Sequence, residues 1–162
     1  MSKLIASTHL AVGAAAGLAA QGCLPANSGI LVRVGVAFIA GIASHLLLDA
    51  PPHAEYASTG ARLAEILFLE IAVVFVSIFW LSGNTARGLI LFFGMSGGAL
   101  PDIISLAYKN FFQWNWLGKL GGLLHSTHGK LPMGEIGFGA QLVIALGAVM
   151  FLRFFATSKI VP

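Results

Sequence analysis

The amino-acid sequence predicts an all-α, polytopic membrane bundle of about five transmembrane helices with one aromatic-rich interfacial segment. Three observations carry this expectation. Hydrophobic residues fill 57% of the 162 positions and charged residues only 9%, against about 25% charge in an average soluble domain. Five apolar runs are too long for ordinary strands. The connections between them hold Pro, Asn, Ser and Gly, as turns require. This composition excludes an ordinary cytosolic domain, a disordered chain and a basic nucleic-acid-binding module. The length leaves room for one transmembrane helical domain, residues 1–162. The single Cys23 excludes an intramolecular disulfide and a Cys-based metal site.

The first run covers residues 4–23. Lys3 ahead of it and Ala20-Gln21-Gly22-Cys23 at its end resemble a secretory or lipoprotein signal. Position 20 is Ala rather than Leu, and His9 interrupts the run, so it reads as a retained helix. The second run covers 29–50, after a short turn at 24–28 that contains Pro25, Asn27 and Ser28. The third covers 63–81, the fourth 86–108 and the fifth 133–156. The long connection at 109–132 carries Phe111, Phe112, Trp114 and Trp116. Trp at this density marks the headgroup layer of a bilayer, so the stretch reads as re-entrant or interfacial. It would anchor the chain or form a lip by which a lipid-borne substrate approaches.

Five spans put the N-terminus on one face, here side A, and the C-terminus on side B. All five His and all six Asp/Glu then fall in the side-A half. His9 lies about 9 Å into the first helix at 1.5 Å per residue. His45 and Asp49 close the second helix. His53 and Glu55 follow it. Glu65 and Glu70 open the third, Asp102 nears the end of the fourth, His125 and His128 lie in the last side-A connection, and Glu135 opens the fifth. Side B receives Arg33, Arg87, Arg153 and Lys159 and no acid. The basic residues of side A are Lys3, Arg62, Lys109, Lys119 and Lys130, so the positive-inside bias leans only slightly to a cytoplasmic side A.

Glycines recur with these groups at intervals of four: His9, Gly13 and Gly17; Gly41, His45 and Asp49; Gly94, Gly98 and Asp102; Glu135 and Gly139. Residues four apart share a helix face, and small residues let helices in lipid approach closely. Each stripe therefore packs a helix and ends, on side A, in an inward-facing ionisable group. Pro101 removes a backbone donor and can kink its helix, leaving the carbonyls of Gly97 and Gly98 free to bind.

Burying several carboxylates and imidazoles is costly unless they pair or hold a cation. His45-x-x-x-Asp49 puts a nitrogen and an oxygen ligand on one face. Both suit Zn²⁺, and Mn²⁺ or Fe²⁺ as alternatives. His9, Asp102 and the pair His125 and His128 extend the set to six metal-ligand candidates. That is more than one tetrahedral ion needs, so more than one ion, or one ion with acid/base residues, would account for the excess. Paired metals suit phosphodiester chemistry. His53 is a weaker candidate after Pro51-Pro52. By placement, Glu135 or Glu70 would act as general base.

Thr8-His9, Ser44-His45-Leu46-Leu47-Leu48-Asp49, Leu100-Pro101-Asp102 and His125-Ser126-Thr127-His128 resemble the motifs of the membrane-bound metal-dependent hydrolases. That family includes inner-membrane hydrolases once described as LexA-binding and is related to zinc-dependent phospholipase C. The resemblance implies a helical bundle in the bacterial inner membrane, a His/Asp metal site and hydrolysis of a phosphoester, lipid-linked or otherwise. Ile103, Ile104 and Ser105 follow Pro101-Asp102 where the family has a second acid and a His, so the metal assignment gains more than the catalytic one. The residues alone also admit a transporter or proton/metal relay, a haem or pigment protein, or a small interaction subunit.

Overall fold

The computed structural model describes residues 6–50, 68–69, 71–72, 74–76, 80, 84–124 and 135–156. The described residues are helical wherever they are regular, and no strand occurs among them. Helix α1 is Ala6–Ala19, followed by a 3₁₀ turn at Ala20–Cys23. Helix α2 is Ile30–Asp49, α3 is Thr85–Asn110, α4 is Asn115–Leu124 and α5 is Glu135–Ala156. The described positions of the third apolar run are also helical.

Among the described residues, two helices, α2 and α3, are long and apolar enough to cross a membrane. The run expected to form the first span is helical only to Ala19 and then tightens. Gln21 accounts for the tightening. Its Nε2 donates to the carbonyl of Gly17 (2.9 Å) and to that of Arg33 on α2 (3.2 Å), so the chain turns in toward α2. The turn closes with Ser28 N–H donating to Pro25 O (3.0 Å). Arg33 fastens the turn from inside. Its Nε donates to Ser28 O (3.0 Å), and its Nη2 to Ala26 O (3.0 Å) and Pro25 O (3.4 Å). Hydrogen bonds from a charged donor contribute about 1.5–3 kcal/mol. Arg33→Ala is therefore expected to loosen the 24–28 turn, read as faster proteolysis there and a lower unfolding temperature.

Helix α3 opens at Asn84, whose Oδ1 accepts from the Arg87 N–H (2.8 Å) and so caps the first turn. It continues through Pro101 to Asn110. The glycine stripes are where the backbones meet. A Cβ at Gly13 would meet the Gly94 carbonyl at 2.6 Å, and one at Gly41 would strike the same carbonyl from α2. A Cβ at Gly98 would strike the carbonyl of His9, and one at Gly97 that of Phe38. These pairings fix direction. Gly17 lies by Gly94 and Gly13 by Gly98, so α1 runs antiparallel to α3. Gly41 lies by Gly94 and His45 by Gly98, so α2 runs parallel to α3.

Leu10, Ala14 and Leu18 of α1, Leu91 and Met95 of α3, Leu152 of α5 and Val74 of the third run form one buried cluster. Large apolar side chains such as Leu31, Ile39 and Leu47 on α2 and Val143, Leu146 and Met150 on α5 face outward. Thr8, His9, Gln21, Arg33, Ser44, His45 and Asp49 are buried. The described interior thus holds an apolar cluster beside a set of buried polar groups, while large apolar side chains cover much of the outside.

Of the stretch expected to be re-entrant or interfacial, residues 109–124 are described and form a helical hairpin with the end of α3. After a break at 111–114, α4 doubles back along α3. Gly118 sits against the Tyr108 ring and Gly121 against Ser105 and Ile104. Phe111, Phe112, Trp114 and Trp116 stay exposed at the bend, with Phe112 to Trp114 ring centroids 4.9 Å apart and Trp114 to Trp116 5.9 Å apart.

Candidate metal centre

Three helices bring ionisable side chains to one place. His9 comes from the first turn of α1, His45 and Asp49 from the last turns of α2, and Asp102 from the residue after Pro101 in α3. The local cause is the glycine stripe on each helix. With Gly13, Gly41 and Gly98 in backbone contact, the next ionisable residue on each face is carried to the same level.

The carboxylate of Asp49 faces both imidazoles. Its Oδ2 lies 3.1 Å from His45 Nε2, and its Oδ1 lies 3.5 Å from His9 Nε2. The two rings stack with centroids 4.1 Å apart at 27°. Ligand atoms of His9, His45 and Asp102 all lie within 4.8 Å of one another. His9, His45 and Asp49 are 1%, 0% and 2% exposed, whereas Asp102 is partly exposed. Asp102 is thus the most exposed member of the group.

One hydrogen bond fixes the chemistry of His45. Its Nδ1 lies 2.8 Å from the carbonyl oxygen of Gly98. A carbonyl only accepts, so Nδ1 carries the hydrogen and donates. Nε2 then faces Asp49 Oδ2 with a lone pair unless it too is protonated. Two acceptors 3.1 Å apart repel, so a proton or a cation belongs between them.

The donor set fits a divalent cation. Two atoms bound about 2.0–2.2 Å from one ion stand about 3 Å apart, close to the separation of His45 Nε2 and Asp49 Oδ2. A ligating His usually donates its other ring N–H to a backbone carbonyl or carboxylate, as His45 does to Gly98. Charge also balances: two neutral imidazoles and two carboxylates sum to −2, which a divalent ion offsets. Two stacked imidazolium rings at 4.1 Å would instead repel each other.

Of the residues expected at the site, the structure brings together His9, His45, Asp49 and Asp102. His125, His128, His53 and Glu70 lie outside the described residues. Glu135 opens α5, but its side chain also lies outside them. The spacing of His45 and Asp49 foresaw a shared face. It did not show that Asp49 would face two imidazoles, because His9 reaches it from another helix. Of the two carbonyls that Pro101 was expected to make available, that of Gly98 takes a described partner, the His45 Nδ1–H.

Comparison with family models, with curated proteins and with solved structures finds no match to this chain.

Proposed function

We propose that the chain is a membrane-embedded metal-dependent hydrolase of the bacterial inner membrane, acting on a phosphoester borne by a lipid or presented at the membrane surface. The observation that carries this reading is the convergence of His9, His45, Asp49 and Asp102 from three helices, with His45 Nδ1 held by Gly98 O. These four residues would hold the ion, with His125 and His128 as further ligands by the spacing of the sequence. Zn²⁺ suits the nitrogen and oxygen donors, and Mn²⁺ or Fe²⁺ are the alternatives. A bound divalent ion supplies Lewis acidity and a hydroxide nucleophile near neutral pH.

The protein's own groups have separable roles. Gly98 O orients the His45 ring. Asp49 faces the Nε2 edges of both imidazoles with one oxygen each. Asp102, at the accessible edge, meets the incoming substrate. Glu135 and Glu70 are the candidates for general base by their placement in the sequence. The exposed aromatic bend at Phe111, Phe112, Trp114 and Trp116 suits the headgroup layer and would hold a lipid partner beside the α3–α4 hairpin.

The same reading includes five spans. Support comes from the parallel run of α2 and α3, since a connection from the end of one to the start of the other covers the length of the bundle. The outward apolar faces and inward polar groups point the same way. The sole cysteine, exposed Cys23, gives a direct check. A membrane-impermeant thiol reagent should label Cys23 and, in a Cys23→Ser background, Ser158→Cys from the same side. Labelling of the two from opposite sides would break the five-span count.

The function itself is tested by hydrolysis of a phosphatidyl phosphomonoester in nanodiscs. Activity should vanish with chelator, return with Zn²⁺ and be absent in Asp102→Asn. A metal-free preparation that retains hydrolysis would contradict the proposal. Proteoliposomes showing ion flux abolished by Asp102→Asn would favour a transporter or relay instead.

A further inference from the structure

Pro101 sits inside α3, fully buried, directly before Asp102 and one turn after the Gly97-Gly98 step. Its ring nitrogen has no hydrogen to give, so the carbonyl of Gly97, four residues back, loses its helical donor, and the ring crowds that same carbonyl. Helix carbonyls at such a point tilt outward and are satisfied by neighbouring helices. The next carbonyl, that of Gly98, is the one that meets His45 Nδ1 at 2.8 Å. The Gly97-Gly98 step is also where α3 touches both neighbours. A Cβ at Gly97 would strike Phe38 O of α2, and one at Gly98 would strike His9 O of α1. One proline therefore stands between a carbonyl that orients one ligand and a carboxylate that is itself a ligand.

We infer that Pro101 is a positioning residue: by withholding a helical donor at the Gly97-Gly98 step it leaves the Gly98 carbonyl turned to the His45 ring, while Asp102 is set toward the same centre. The inference rests on the metal reading above and adds a role that no ligand residue performs. A helix interior disfavours proline strongly relative to alanine, so this position carries a local helix penalty in exchange for the geometry of the site. The two properties should therefore move apart when the proline is replaced.

The test uses Pro101→Ala in the full-length protein in nanodiscs, with Zn²⁺ alone as the probe. Zn²⁺ affinity should fall by about 10–100-fold, the usual effect of losing a partner that orients a ligand. The unfolding temperature of the metal-free protein should stay the same or rise. Nitrogen-15 spectra of the histidine rings should show His45 protonated on Nδ1 in the wild type, with that preference weakened in the variant. Unchanged affinity would overturn the inference. So would parallel losses of affinity and metal-free stability, which a merely structural proline would give. If Pro101→Ala yields no folded protein, Pro101→Gly is read in the same way. A wild-type spectrum with His45 protonated on Nε2 alone overturns the inference in either case. Wild-type protein that takes up no Zn²⁺ would remove the metal reading and leave the histidine spectrum to decide this one.

Discussion

Alanine at both His45 and Asp49 is expected to leave the purified protein almost without metal. Both side chains are essentially inaccessible, 0% and 2% exposed, and their facing atoms are 3.1 Å apart. Neither can be replaced by a water at no cost, because the surrounding helices are in backbone contact at Gly41 and Gly98. Loss of a partner that only orients a ligand weakens metal binding by roughly 10–100-fold, so loss of two direct ligands should weaken it by more than about 1,000-fold. Elemental analysis of protein purified in parallel checks this: a substantial metal content in the wild type and little in the double variant. The single variant Asp49→Ala is informative in another way. It leaves the two stacked imidazoles without the carboxylate that faces both Nε2 atoms, and leaving a buried polar group without its partner typically costs about 1–3 kcal/mol. Its metal-free unfolding should therefore be visibly weakened. Equal metal content in wild type and double variant would show that the ion lies elsewhere.

Gly41→Ala should cost stability without touching any ligand. The added Cβ would strike the Gly94 carbonyl and come within 2.9 Å of Gly98 N. Backbone cannot swing aside as a side chain can, so α2 and α3 must separate. Overpacking of a tight core typically costs about 1–3 kcal/mol. Since His45 and Asp49 lie one and two turns farther along the same face, the separation also stretches the link from His45 Nδ1 to Gly98 O. Denaturation of the reconstituted protein should show the loss of stability, and Zn²⁺ titration a weaker affinity. Gly35→Ala is the control, because a Cβ there meets nothing within 4 Å. It should leave Zn²⁺ affinity unchanged and stability the same or slightly higher, since alanine favours a helix interior over glycine.

The parts of this arrangement that follow helical periodicity were legible in the sequence. The spacing Gly41, His45 and Asp49 places three groups on one face whatever the tertiary structure, and Gly94, Gly98 and Asp102 do the same. The boundaries of α2 and α3 fall within a residue or two of the apolar runs, because Gly29, Asn84 and the length of each run set them locally. The shortening of α1 was not legible. It depends on Gln21 finding the Arg33 carbonyl, a contact across the turn that no periodicity encodes. The hairpin of α3 and α4 was only half legible. Trp and Phe composition set the stretch apart from the apolar runs, but its folding back depends on Gly118 fitting the Tyr108 ring. At the site, residue types and spacing pointed to a buried His/Asp cluster. The partners of each atom came from the meeting of helices: Asp49 facing the Nε2 atoms of two rings, and Gly98 O on His45 Nδ1.

X-ray absorption of the Zn²⁺-loaded protein tests the central claim most directly. The account predicts a stoichiometric ion with nitrogen and oxygen neighbours at about 2.0–2.2 Å, a multiple-scattering signature of at least two imidazoles, and no sulfur. Loss of one imidazole is expected in His9→Ala and again in His45→Ala. A sulfur neighbour, which only Cys23 or a methionine can supply, or a spectrum unchanged by both histidine replacements, would contradict it.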